Sequence, residues 1–142
     1  MENQNNRTNN KVGVSEKAIL IRDDGKFLAM RRTKTAPTRP LGWDLPGGEL
    51  EFGEDPQEGI IREIKEEAGV EVGDLKIFDA VSDIGGDGEF WVTIFYTARP
   101  LSTSIVLSYE HDNIKWVTSD DFLELPGISS KQKRAIQKFK RL

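Results

Sequence analysis

Residues 48–70 read GELEFGEDPQEGIIREIKEEAGV, and both ends of a short helix are written into that stretch. Asp55 suits the N-cap, Pro56 the first helical position, and Glu58, three residues after the cap, completes a capping box. Gly69 supplies the left-handed residue that stops a helix, and apolar Val70 follows it. At about 100° per residue, Ile60, Ile61, Ile64 and Ala68 share a stripe that must face a core. Glu63, Glu66 and Glu67 fall on the adjoining flank.

That flank is electrostatically unfavourable. Glu63 repels Glu66 and Glu67 across one turn, and all three crowd the helix end that favours cations, at about 0.3–1 kcal/mol each where exposed. The spacing therefore predicts a cation among them. Three carboxylates on a rigid helix suit a hard divalent ion, Mg²⁺ or Mn²⁺. With no cysteine, and His111 the sole histidine, a zinc site is disfavoured.

The same residues resemble the Nudix box, G-x5-E-x7-R-E-U-x-E-E-x-G-U with U aliphatic. Gly48, Glu54, Arg62, Glu63, Ile64, Glu66, Glu67, Gly69 and Val70 match it without a departure, and Trp43-Asp44-Leu45-Pro46-Gly47 is similar to the family's usual lead-in. The resemblance implies an α+β fold, the Nudix α/β/α sandwich with a mixed β-sheet. It implies cleavage of a nucleoside diphosphate linked to another moiety, with the metal on Glu63, Glu66, Glu67 and Gly47. Gly47 and Gly48 are then expected at the substrate, and Arg62 orients the carboxylates, although on its own it reads equally as an ion-pair partner of Glu58 or Glu66.

The expected catalytic residues are Glu63, Glu66, Arg62 and Glu110. Glu63 is the favoured base, because carboxylates crowded around a metal can have one pKa shifted toward neutrality. Glu110 is the reserve: it precedes the strand containing Trp116, as in MutT-like members where a glutamate in this place reaches the metal or acts as base. His111, beside Asp112, reads as a surface hydrogen-bonding residue and stays outside the site. The missing side chain of Gly59 leaves room for a loop or ligand, or is simply neutral.

The remainder of the 142 residues suits one domain, residues 13–142, behind a tail at 1–12 that is rich in Asn and expected to be disordered. Glu16–Arg22 and Phe27–Arg32 read as a hairpin about Asp23-Asp24-Gly25-Lys26. Thr33–Gly42, broken by Pro37 and Pro40, is a candidate substrate loop. Among the basic residues Arg31, Arg32, Lys34 and Arg39, Arg31 is assigned to the substrate. Val72–Asp83, Phe90–Arg99 and Lys115–Thr118 read as strands, the first two joined at Gly85-Gly86-Asp87-Gly88. Ser129–Leu142 reads as an amphipathic helix with Ala135, Ile136, Phe139 and Leu142 inward. Trp43, Phe90 and Trp91 are either core or a platform for a base.

No apolar run reaches membrane-spanning length and the amino terminus has no apolar signal region, so a cytoplasmic location is expected. A net charge of −4 does not attract nucleic acid. The expected partner is a nucleotide, with no membrane; a homodimer is compatible with the sequence. The proline marking ADP-ribose hydrolases would fall near Gly85 or Gly86 and the tyrosine marking diadenosine polyphosphate hydrolases near Gly88; neither is present. The coenzyme A type signature is also missing. By elimination the chain looks most like a MutT-like diphosphatase of nucleoside triphosphates, oxidised ones included. ADP-ribose or nucleotide-sugar hydrolysis, or nucleotide sensing without catalysis, are the alternatives.

Overall fold

The computed structural model describes residues 11–85 and 88–142. Its order is β1 (Val12–Leu20), β2 (Phe27–Arg32), β3 (Trp43–Asp44), β4 (Gly47–Glu49), α1 (Pro56–Ala68), β5 (Val72–Ile84), β6 (Phe90–Pro100), β7 (His111–Val117), α2 (Ser119–Leu123) and α3 (Ser130–Lys140). Four strands form a sheet in the order β4-β1-β6-β5, and three form a second in the order β3-β2-β7. β1 runs parallel to β6, while every other pairing is antiparallel. This is a mixed-sheet α+β fold.

The pleat sorts side chains into two cores. Ala18 and Leu20 of β1, with Leu28 and Met30 of β2, pack beneath Ile60, Ile64 and Ala68 of α1. Their alternates Ile19, Phe27 and Ala29 turn the other way, onto Phe122 of α2 and Ala135 and Ile136 of α3. Strands buried on both faces need helices on both, which gives the α/β/α layering.

The expected hairpin is corrected. β1 and β2 meet only at the Ile21–Phe27 bridge and the Arg22 N–H to Lys26 carbonyl bond, then enter different sheets. The strand around Trp116 begins at His111, earlier than its apolar residues indicate. The last helix ends at Lys140, leaving Leu142 exposed. The expected tail lies, for residues 1–10, outside the described residues, and Val12 already pairs with Phe90. Gly86 and Asp87 of the expected β5–β6 turn also lie outside them.

Candidate active site

α1 begins and ends where its caps place it, with one difference. Asp55 accepts the Gln57 N–H at 3.1 Å, not that of Glu58 as a capping box requires. Gly69 takes a left-handed φ of 71° and donates its N–H to Lys65. The buried face carries Gly59, Ile60, Ile64, Glu67 and Ala68, whereas Ile61 lies at the exposed margin. The stripe is thus rotated relative to the apolar pattern and draws Glu67 inward. Gly59 helps set that rotation: a Cβ there would sit 2.7 Å from both Leu50 Cδ1 and Glu16 Oε1.

The turn before the helix closes on these acids. Glu67 Oε1 accepts the Gly47 N–H at 2.8 Å. Gly47 has a φ of 148° and lies so close to the Glu16 backbone that no side chain fits; at Gly48 a Cβ would overlap the Glu63 carboxylate. Arg62 fans across the cluster, bonding Glu54 at 2.7 and 3.0 Å and reaching Glu63 at 3.0 Å and Glu66 at 3.2 Å. Glu58 is not among these contacts. Burial raises the pKa of Glu67 to about 7 despite Lys17 and the Gly47 N–H, and burial likewise raises Glu63 against the pull of Arg62. Beneath them Glu16, wholly buried, accepts the Tyr96 hydroxyl and is raised by burial to about 7.

Facing the acids is a basic wall built on one buried carboxylate. Asp44 receives Lys17 and Arg39 at 3.2 Å, Arg32 at 3.3 Å and the Gln132 amide at 2.7 Å. Burial opposes its ionisation, but Lys17, Arg39 and Gln132 together hold its pKa well below the usual carboxylate range. Three cations on one carboxylate leave positive charge in excess. His111 is not at the surface: it is buried, with Nε2 3.9 Å from Asp44 and neither ring nitrogen hydrogen-bonded within the chain.

Acids and bases line the same cleft of about 950 Å³, with Gly47, Gly48, Arg62, Glu63, Glu66, Glu67 and Glu110 on one side and Lys17, Arg32, Arg39 and Lys131 on the other. Arg31 is not brought to it. Its guanidinium bonds Asp112 at 2.8 Å, and the pleat of β2, with a register shift between Arg31 and Arg32, delivers Arg32 in its place. Trp43 is buried core, while Trp91 lines the cleft and Phe90 does not. Sequence reasoning missed Lys17, Asp44, Gln132 and Lys131. Asp44 carried a signal, an acid within the apolar lead-in Trp43-Asp44-Leu45.

No three His, Cys, Asp or Glu side chains among the described residues are gathered closely enough to hold a metal alone. The donors nonetheless fit a hard cation that keeps waters and shares its shell with phosphate, since such an ion needs only one or two carboxylates from the protein. They are all oxygen, and burial holds Glu63 and Glu67 above ordinary acidity with one arginine to offset the whole cluster.

Carboxylates suited to a hard cation, set across a cleft from phosphate-seeking cations, define a hydrolase of phosphorus anhydrides. Residues 13–139 match the family described as NUDIX domain, and the chain belongs to it. A MutT-like protein of Streptomyces ambofaciens is 30% identical over 111 residues, covering 78% of this chain and 67% of its own. An 8-oxo-dGTP diphosphatase of Proteus vulgaris is 29% identical, covering 60% and 74%. The crystal structure of a MutT protein from Methanosarcina mazei superposes with a TM-score of 0.80 at 27% identity, covering 93% and 95%. The chain is therefore a MutT-like Nudix hydrolase acting on pyrophosphate bonds of nucleoside diphosphate derivatives, a chemistry for which the family needs a divalent metal.

Proposed function

We propose that the protein is a Mg²⁺- or Mn²⁺-dependent diphosphatase of nucleoside triphosphates, oxidised deoxynucleotides included. The observation that carries this reading is the pairing of acid and basic walls in one cleft, which suits a metal on one side and a phosphate chain on the other. The name of the Proteus vulgaris relative points the same way. A cytoplasmic setting, beside the nucleotide pools, accords with it.

Glu63, Glu66, Glu67 and Gly47 would hold the metal, which when bound supplies Lewis acidity to the phosphoryl group and to water. Glu63, already raised by burial, takes the proton of the attacking water, with Glu110 across the cleft as the other acceptor. Lys17, Arg32, Arg39 and Lys131 receive the phosphate charge. Arg62 keeps Glu63 and Glu66 in place, and Gly48 leaves Glu63 the room it occupies.

A second reading, a nucleoside diphosphate carrying a sugar or other uncharged group, draws on the lack of any basic residue where the cleft passes Glu49 and Glu51 toward Trp91. The test is a panel of normal and oxidised nucleoside triphosphates, ADP-ribose, sugar nucleotides and dinucleoside polyphosphates. It is run with Mg²⁺, with Mn²⁺, and with excess chelator after metal stripping. Triphosphates should give the highest kcat/KM, and turnover that survives the chelator overturns the reading.

A further inference from the structure

Beyond Glu49 and Glu51 the cleft opens into a side pocket of about 380 Å³, and Glu49, Glu51 and Trp91 line both spaces. Its other walls are Val12, Val14, Leu50, Phe52 and Glu54. None of the described residues lining it is basic, and the carboxylates there repel phosphate. The acids closest to Arg62 are already satisfied: Glu54 through two hydrogen bonds, Glu51 at 3.5 Å. All the cations of the main cleft other than Arg62 stand on the opposite wall, about Asp44 and Lys131.

Two aromatic side chains give this pocket its character. Trp91 lies flat against Gly13, whose Cβ, were there one, would sit 2.5 Å from the indole, so the ring is a fixed platform that only glycine permits. Phe52 is fully exposed at the tip of the β4–α1 loop, next to Gly53 with a φ of 82°. A large ring left wholly in water beside an apolar pocket is the kind of surface that a ligand covers.

We propose that this pocket is a second substrate subsite, in which Phe52 and Trp91 take a planar uncharged ring on the far end of the phosphate chain, such as a second nucleobase. The subsite rests on the pyrophosphohydrolase reading of the cleft and sharpens it. Among nucleoside diphosphate derivatives, those ending in a ring are bound more tightly than those ending in phosphate. Charge selects against a phosphate terminus, and the two aromatic faces select for the ring.

Nucleoside tetraphosphate and dinucleoside tetraphosphate form a matched pair differing only in that terminus. With Mg²⁺, wild-type protein should show a KM about fivefold or more lower for the dinucleotide. Phe52→Ala should erase that advantage while shifting the KM for nucleoside tetraphosphate by less than about twofold. Trp91→Ala, checked for folding by circular dichroism, should do the same. Equal KM values in the wild type, or equal effects of Phe52→Ala on both substrates, overturn the subsite. If neither compound is cleaved, the pyrophosphohydrolase reading fails instead, and calorimetric Kd values for dinucleoside tetraphosphate on wild type and Phe52→Ala decide the subsite alone: an unchanged Kd refutes it.

Discussion

Glu67 Oε1 accepts the backbone N–H of Gly47 at 2.8 Å, so an acid of α1 is tied directly to the turn that precedes the helix. An amide oxygen can accept the same bond. Glu67→Gln should therefore keep the fold, and in metal-free protein hold or raise Tm, because it removes a charge that burial disfavours. Activity should fall at least about a hundredfold with a metal ligand gone. A clear loss of metal-free Tm in differential scanning calorimetry would show the charge itself to be structural.

The pH dependence of stability has a definite sign. Glu16 and Glu67 ionise near pH 7 in the folded, metal-free protein, well above the ordinary carboxylate value. Between those values the unfolded chain has released protons that the folded chain retains, so stability falls as pH rises from about 5 to about 7.5. Thermal melts should show Tm dropping across that window and levelling above it. Glu67→Gln should shrink the drop, and Mg²⁺ should recover Tm at the alkaline end. A flat profile would mean that neither acid is raised.

Glu110 lines the cleft but is exposed and supports no core packing. Glu110→Gln should lower kcat by about tenfold to a hundredfold, the scale of a positioned base, with Tm unchanged. Combined with Glu67→Gln, the loss should be less than additive if both serve one metal cluster. A wild-type rate for the single variant would confine catalysis to the turn and α1.

A methyl group at Gly48 would meet the end of the Glu63 side chain, which can swing aside. Gly48→Ala should melt within about 3 °C of wild type while losing about tenfold or more in kcat, because a displaced carboxylate is costly to a positioned reaction. Unaltered kinetics would show that the placement of Glu63 does not matter.

The helix was legible because its signals are local: Asp55, Pro56 and Gly69 act within a turn of themselves. The sequence reading failed where distant strands decide. Arg31 and Arg32 are equivalent on paper, and only the pleat of β2 against β7 separates an ion pair with Asp112 from a place in the cleft. Asp44 and His111 read as ordinary polar residues, yet cations from β1, β2 and the following loop converge on one and the core encloses the other. The β1–β2 hairpin expectation failed for the same reason. β1 finds its partners in β4 and β6, and adjacency in the chain has no say in that.

The parallel pairing of β1 with β6 sets a timetable for synthesis. Ser15 and Thr93 touch through their hydroxyls across 78 residues of chain. A nascent polypeptide that has just completed α1 already holds its acids, but Lys17 still lacks the strand beside it, and Gln132 and Lys131 have not been translated. Closing so long a loop is slow, and the half-made sheet offers bare edges meanwhile. One wall of the active site is thus born early and the other last, so the emerging chain is most open to mispairing between the completion of α1 and the arrival of β6.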